Sequence, residues 1–239
     1  MPVELTERQK SILDALIREY VATAEPVASE YIVRKYRLPY SPATVRNELV
    51  ALDEAGFLAQ PHTSAGRVPT DKGYRFFINH REARSGAMPS REERAMRELS
   101  RLGDPAEFMK QSSRLIAHLT RNFVVAGFPD EELFYKSGIS EVLREPEFSD
   151  FELLREFSTL VDKIEDEIAR WFGALEFDGP RTFIGSENPI RQARHYGMII
   201  SSLETPFARE SMIALVGPKR MDYGHNLAVL THFQEALMR

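Results

Sequence analysis

The stretch Ser41-Pro42-Ala43-Thr44-Val45-Arg46-Asn47-Glu48-Leu49 decides the fold of the N-terminal third of this chain. Ser41 is a favoured N-cap residue, and Pro42 suits the first helical position because the amide it lacks would have no partner there. Gly56 predicts the helix end. Apolar residues at helical spacing predict a buried face: Val45, Leu49 and Leu52. We therefore expect an amphipathic helix whose opposite face is polar.

Further helices and a short hairpin are predicted around this helix. Thr6-Glu7-Arg8-Gln9 has the pattern of a capping box, in which Thr6 and Gln9 satisfy free amides at a helix start. Pro, Ser and Gly residues predict a turn between two strand-like segments. The predicted elements are helices over 7–23, 29–36 and from Thr70 onward, with strands at 57–59 and 68. This order predicts a winged helix-turn-helix domain.

The polar face of the third helix carries side chains that suit a DNA groove. Arg can bond bidentately to guanine and Asn to adenine, while Ala and Thr can contact a thymine methyl group. Free amides at the helix N-terminus favour a phosphate. The candidate DNA-binding residues of this helix are Ser41, Ala43, Thr44, Arg46 and Asn47. The alternative is an ordinary solvated face.

The predicted wing and the fourth helix supply further candidates. Thr63, Ser64, Gly66 and Arg67 are placed to contact phosphates or the minor groove, and Gly66 permits a close backbone approach or a left-handed turn. Lys72 and Arg75 are candidate phosphate contacts at the start of the fourth helix. Solvated surface is the alternative for both.

Charge is unevenly distributed along the chain. The formal net charge is −5, yet residues 34–81 hold eight basic and four acidic side chains. This local +4 favours nucleic-acid binding by the N-terminal lobe, and it leaves −9 for the remainder. Ordinary charge scatter is the alternative interpretation.

The rest of the chain predicts an α+β second domain. A linker over 84–90 precedes capped helices that begin at Ser90 and Asp104. Strands are predicted at 123–126, 181–184, 197–203 and 211–216, with a long helix over 150–175 and a terminal helix over 223–238. The expected domains are 1–80 for DNA binding, 81–104 as linker and connecting helix, and 105–239 as the α+β domain.

Several classes of protein are disfavoured by the composition. The chain has no cysteine, its six histidines show no metal-ligand spacing, and neither a Gly-rich phosphate loop nor a nucleophile elbow is present. We therefore expect no enzyme activity, no cofactor and no metal. No apolar run approaches the roughly 20 residues of a membrane span, and no secretory signal is evident. A cytoplasmic protein without membrane contact is predicted.

A ligand site in the second domain is a weaker candidate. Segments 184–189 and 217–223 carry polar side chains that can contact a small molecule: Glu187, Asn188, Arg220 and Asp222. The structural alternative is that Gly and Pro shape turns there, while Arg220 pairs with Asp222 or Glu187. We assign no ligand.

The sequence resembles the heat-inducible transcription repressor family, HrcA. The resemblance rests on 6–9, 41–47 and especially Gln60-Pro61-His62-Thr63-Ser64-Ala65-Gly66-Arg67-Val68-Pro69-Thr70-Asp71-Lys72-Gly73-Tyr74-Arg75-Phe76, with further agreement at 145–148, 184–189 and 217–223. It implies a homodimeric repressor that binds an inverted-repeat operator in double-stranded DNA ahead of chaperone operons. It also implies a GAF-like C-terminal domain and a chaperonin partner that supports the active state.

One departure from the family is large. Members are usually about a hundred residues longer, with strands and a helical dimerisation insert before the Pro-Glu-Phe segment, whereas here fewer than twenty residues separate 123–126 from 145–148. We therefore expect a reduced GAF-like domain. The function hypothesis is a sequence-specific repressor. The alternative is a winged-helix protein-interaction or ligand-sensing module without operator binding.

Overall fold

The computed structural model describes residues 4–63, 65–80, 88–172, 179–207 and 211–238. Contacts between residues divide the chain into two compact units, Met1–Glu82 and Ala83–Arg239. Each unit buries apolar side chains of its own.

The first unit contains four helices and a two-stranded hairpin. In chain order they are α1 (Glu7–Thr23), α2 (Ser29–Tyr36), α3 (Pro42–Glu54), β1 (Leu58–Ala59), β2 (Val68–Pro69) and α4 (Asp71–Asn79). The predicted caps are present, because Thr6 and Gln9 form the reciprocal capping box and the Thr70 hydroxyl accepts the Gly73 amide. Helix α1 packs against the other three helices and against β2. This arrangement confirms the predicted winged helix-turn-helix.

A buried carboxylate joins α1 to α2. Glu19 is 2% exposed and accepts hydrogen bonds from Lys35 Nζ at 3.0 Å and from the Tyr36 hydroxyl at 3.2 Å. Burial alone would raise the pKa of Glu19, but the hydrogen bonds from Lys35, Tyr31 and Tyr36 outweigh it and hold the pKa below its ordinary value. The same hydrogen bond to Glu19 raises the pKa of Lys35 to about 12. An ionised Glu19 therefore fixes α2, which packs against α3, on α1.

The second unit combines five helices with one sheet within its described residues. The helices are α5 (Ser90–Leu99), α6 (Pro105–Thr120), α7 (Ile139–Val142), α8 (Phe151–Phe172) and α9 (Tyr223–Leu237). The strands are β3 (Phe123–Phe128), β4 (Leu133–Ser137), β5 (Arg181–Ile184), β6 (Tyr196–Leu203) and β7 (Ser211–Pro218). Short 3-10 turns lie at 129–131, 146–149, 185–187 and 191–193.

The sheet is antiparallel throughout and has the strand order β4-β3-β7-β6-β5. Every residue of β3 and β7 is buried, as expected for central strands covered on both faces. On one face, Phe157, Leu160 and Ile164 of α8 pack with alternate residues of β3, β6 and β7. Helices α6 and α9 contact each other and the strands β3, β4 and β6. The α+β fold class predicted from the sequence is confirmed.

The segment between β3 and the turn at 146–149 differs from the prediction. No element was predicted there, but the segment contains a strand, β4, that forms a hairpin with β3 in the register Val125↔Lys136 and Ala126↔Tyr135. Edge strand β4 is only partly buried, so its apolar signal is weak. The long helix was predicted over 150–175; the structure describes it over Phe151–Phe172, and the predicted residues 173–175 lie outside the described residues.

Candidate nucleic-acid interface

Helix α3 presents one apolar and one polar face, as its sequence predicts. The Ser41 hydroxyl accepts the Thr44 amide at 3.1 Å and lies 2.9 Å from the Thr44 hydroxyl, so both side chains complete the N-terminal cap. Val45, Leu49 and Leu52 are buried. The exposed residues that line the opposite face are Ala43, Arg46, Asn47 and Val50. These four recur at i, i+3, i+4 and i+7 and therefore form one continuous stripe.

Arg46 is held only weakly within the protein. Its Nη2 atom lies 3.7 Å from Oε1 of Glu30 on α2, and the two side chains are 68% and 75% exposed. Exposed ion pairs of this kind contribute about 0–1 kcal/mol. Glu48, the acidic residue on α3 nearest in sequence to Arg46, forms an ion pair with Arg8 of α1. The guanidinium of Arg46 can therefore turn toward an acceptor in a groove at little cost.

The wing turn is held by a residue that the sequence analysis did not single out. The Gln60 side-chain amide donates hydrogen bonds to the carbonyl oxygens of Thr63 at 2.9 Å and Ala65 at 3.0 Å. Thr63 is exposed at the wing tip. The predicted contact residue Ser64 lies outside the described residues. The one sequence signal for this role was that Gln60 immediately precedes a turn rich in Pro, Ser and Gly.

The return strand of the wing pairs with the segment before α2. Val27 and Arg67 exchange two backbone hydrogen bonds, of 2.9 and 3.0 Å. A Cβ atom on Gly66 would lie 2.4 Å from the Val27 carbonyl carbon and oxygen. Gly66 is not among the described residues with positive φ, so its smallness serves a close approach and not a left-handed turn. That approach is to Val27 of the same chain.

Arg67 is bound internally through one edge of its guanidinium. Its Nε atom lies 2.7 Å from Oδ2 of Asp53 on α3, and its side chain is 16% exposed. This ion pair joins the wing to α3. Its partners are 14 residues apart in sequence, so no local pattern predicted it. The structure thus gives Arg67 a positioning role, and contact with phosphate stays a prediction.

The start of α4 is joined to the end of α3. Lys72 donates from Nζ to the Ala55 carbonyl at 2.7 Å, and the ammonium lies 4.2 Å from the ring centroid of Phe57. A cation at a helix C-terminus and over an aromatic ring is favourable on both counts. Thr70 donates to the Gly56 carbonyl at 2.7 Å. Arg75 is half-buried on the same helix. Most of the candidate residues from 41 to 75 therefore lie on α3 or on elements that brace it.

The candidate ligand segments of the second unit serve structural roles. Arg220 is buried and forms ion pairs with Glu145 and Glu147, at 2.5 and 2.6 Å. Burial would lower the pKa of Arg220, but the two carboxylates outweigh burial and raise the pKa above its ordinary value. This residue is therefore a permanent cation. Asp222 caps α9 by accepting the His225 amide. Asn188, the other buried residue of the set, donates to two backbone carbonyls.

Among the described residues, no three His, Asp or Glu side chains are grouped so that they could hold a metal ion. Within the same ranges, no helix has both the length and the apolar character to cross a bilayer.

Comparison with known proteins identifies two matching family descriptions. "Winged helix-turn-helix transcription repressor, HrcA DNA-binding" matches residues 4–83, and "HrcA protein C terminal domain" matches residues 90–226. A solved structure titled "Crystal structure of a hypothetical protein at 2.2 A resolution" covers 98% of both chains with a TM-score of 0.83 at 18% identity, which shows a shared fold.

Two relatives show how the chain aligns with curated proteins. "Heat-inducible transcription repressor HrcA" of Chloroflexus aggregans is 46% identical over 135 residues, which is 56% of this chain and 36% of that protein. The protein of the same name from Thermodesulfovibrio yellowstonii is 26% identical over 339 aligned positions, covering 98% of this chain and 97% of that protein. At least one hundred of those positions have no residue of this chain, as expected for a shortened member.

In the alignments at 45–46% identity, the match spans only about a third of each relative's length. The two family descriptions nevertheless match nearly all of the N-terminal unit and residues 90–226 of the second. This chain belongs to the HrcA family.

Proposed function

We propose that the chain is a sequence-specific DNA-binding repressor of transcription and has no enzyme activity. The observation that carries the proposal is the exposed stripe of α3, in which Ala43, Arg46 and Asn47 face outward above a buried apolar face. Relatives named heat-inducible transcription repressors support the same class of function. Heat-shock genes are the proposed targets, and the cytoplasm is the proposed location.

The stripe is suited to reading base edges in the major groove. Arg46 would bond to guanine O6 and N7, Asn47 to adenine N6 and N7, and Ala43 would contact a thymine methyl group. The N-terminus of α3, with Ser41 and Thr44, would lie against a phosphate. Base contacts would thus give specificity, while phosphate contacts would set the register of α3 in the groove.

The wing and α4 would contact the DNA backbone. We assign this role to Thr63, Ser64, Gly66, Arg67, Lys72 and Arg75. Arg67 can contribute through its two Nη groups while Nε stays with Asp53. Lys72 can act through the charge of its ammonium, which already lies at the junction of α3 and α4. Such contacts carry little sequence information, so they would add affinity that falls with salt.

The family resemblance supports a homodimer on an inverted-repeat operator. Two-fold symmetry would place two α3 helices in major grooves separated by one helical turn or a multiple of it. A chaperonin is the proposed partner for regulation, on the same basis of resemblance.

The test combines operator selection with a matched set of variants. Genomic DNA fragments bound by the full chain are selected and sequenced, and the operator is then compared with a scrambled duplex by fluorescence anisotropy. Arg46→Ala and Asn47→Ala should each reduce the discrimination between the two duplexes by about 1–3 kcal/mol, because each removes a bidentate base contact.

Arg18→Ala is the matched control, since Arg18 is a partly exposed arginine on α1 that pairs with Asp14. It removes the same charge and should leave discrimination unchanged. Unchanged discrimination in Arg46→Ala and Asn47→Ala would reject α3 as the reading helix. Failure to select any common fragment would favour the alternative, a module for protein contact or ligand sensing.

A further inference from the structure

A second basic cluster lies in the C-terminal unit, within a surface groove of about 680 Å³ between α8 and the 3-10 turn at 191–193. Arg155 and Thr159 line it from α8, and Arg191, Arg194 and His195 line it from the turn and the residues that follow. The volume is within the range of about 300–1,000 Å³ that is usual for small-molecule sites. All its lining residues belong to Ala83–Arg239, so the groove shares no residue with the α3 stripe.

The local charge of the groove contrasts with that of its unit. Residues 83–239 hold twenty Lys and Arg against twenty-five Asp and Glu, so the unit as a whole is acidic. The residues that line the groove include three arginines and one histidine but a single carboxylate, Glu156. A cationic concavity in an acidic unit concentrates anions, because low-dielectric walls focus the field in the opening.

Two of the arginines are not neutralised by the protein. Glu152 pairs with Arg155 at 2.6 Å, and Glu156 pairs with Nδ1 of His195 at 2.5 Å. Arg191 and Arg194 are both exposed, and neither has a carboxylate partner within the described ranges. Arg191 begins the 3-10 turn and Arg194 is its C-cap residue, three positions later, a spacing at which side chains of a 3-10 turn eclipse and extend to the same side.

We propose that this groove binds a small ligand that carries two or more phosphate groups. Guanidinium groups form bidentate, charge-assisted hydrogen bonds with phosphate oxygens, and two unpaired ones on the same side of a turn can bind adjacent phosphates. Gln192 lies between the two arginines in sequence and lines the same groove with an amide donor. The groove has room for more than a single phosphate ion.

The test is calorimetric titration of the full chain with inorganic tripolyphosphate at physiological salt. We expect saturable binding at one site per chain. Arg191→Ala combined with Arg194→Ala should weaken binding at least about tenfold, because the loss of a single charge-assisted contact already contributes about that factor. The control is Arg144→Ala with Arg170→Ala, which removes two exposed arginines that pair with Glu141 and Glu167 elsewhere in the unit. The control should stay within about twofold of the parent.

Separate arms distinguish the sources of binding. Absence of binding at about 5 mM tripolyphosphate, or equal weakening in the control variant, would overturn the proposal. Equal affinity for citrate would show selection for charge alone and would overturn the phosphate assignment. If tripolyphosphate fails to bind but the Arg191 and Arg194 substitutions weaken binding to duplex DNA, the arginines contact DNA and the small-ligand proposal is wrong. Unfolding midpoints from Trp171 fluorescence verify that each variant is folded.

Discussion

Arg46 has a competitor for its guanidinium in the free protein. Oε1 of Glu30 lies 3.7 Å from Nη2 of Arg46, and a base contact by Arg46 would replace that ion pair. A bidentate contact with guanine is worth about 1–3 kcal/mol, whereas an exposed pair is worth about 0–1 kcal/mol, so the base contact wins. We therefore expect Glu30 to weaken DNA binding slightly.

Neutralisation of Glu30 is therefore predicted to increase the affinity for the operator. Glu30→Gln should strengthen operator binding by about two- to fivefold, since it removes both the competing acceptor and a negative charge. Fluorescence anisotropy at two salt concentrations measures the change, which should shrink at the higher salt. Glu25→Gln, a neutralised carboxylate that precedes α2, is the control for net charge alone. Equal gains from the two substitutions would contradict a specific role for Glu30.

At the residue scale, sequence reasoning succeeded where partners are close along the chain. The caps of Thr6, Ser41 and Thr70 depend on residues three positions away, so the pattern itself contains the interaction. It did not identify the partners of Arg220: pairing with Asp222 or Glu187 was the alternative considered, whereas the ion pairs are with Glu145 and Glu147, more than seventy residues earlier. Charge complementarity in sequence cannot choose among distant partners until the fold is known.

At the scale of elements, the attachment of α2 to α1 depends on an ionised Glu19. Lys35 and Tyr36 both donate to this carboxylate, and together with Tyr31 of the same helix they lower the pKa of Glu19. Because α2 packs beside α3, the position of the proposed reading helix depends on Glu19, a buried residue of α1. Loss of this charge should affect stability more than base recognition.

Glu19→Gln tests this dependence through pH. The folded pKa of Glu19 lies below its unfolded value of about 4.5, so its stabilising effect is complete above that pH and is lost as pH falls through the folded pKa. At pH 7 the variant should be less stable by about 1–3 kcal/mol, because a charge-assisted hydrogen bond becomes a neutral one. The difference should narrow below pH 4.5.

Hydrogen exchange of peptides from α1 and α2, measured from pH 7 down to about pH 3.5, is the appropriate readout because it resolves this unit from the other. Glu7→Gln, at an exposed carboxylate of the same helix that pairs with Lys10, is the matched control. A difference between the parent and Glu19→Gln that is independent of pH would show that packing, not charge, is the contribution of Glu19.

Elements themselves were predictable in proportion to their burial and periodicity. Helix α8 and strands β6 and β7 carry long apolar patterns, and the predicted bounds of all three agree with the observed bounds to within a few residues. Strand β4 was missed because a half-buried edge strand needs only one apolar face and pairs with β3 alone. The wing was predicted as a hairpin, but its third partner, Val27, was not, since one bridging residue leaves no pattern.

At the scale of the whole molecule, each unit has its own core and its own buried ionic contact. The single tryptophan, Trp171, lies in the second unit and packs edge-on against Phe183 at 5.1 Å. Its fluorescence therefore reports on that unit, whereas exchange in α1 and α2 reports on the other. A substitution in one core can be followed without confusion with the other core.

Arg220→Met should destabilise the second unit alone, and the two separate readouts can test this. The substitution leaves Glu145 and Glu147 near each other without the buried cation that now joins them, and loss of one partner in such a group costs about 3–5 kcal/mol. The midpoint of denaturant unfolding measured by Trp171 fluorescence should fall accordingly. Hydrogen exchange in α1 and α2 should stay the same as in the unsubstituted protein.

A triple variant separates the effect of charge on stability from the effect of side-chain shape. Arg220→Met combined with Glu145→Gln and Glu147→Gln removes all three charges, and it should recover a large part of the lost stability because no unpaired carboxylate remains.

Arg144→Ala is the control for a neighbouring exposed arginine and should change stability by less than about 1 kcal/mol. If Arg220→Met leaves the Trp171 midpoint unchanged, the ionic group does not stabilise the sheet domain. If it also accelerates exchange in α1 and α2, the two units do not unfold independently.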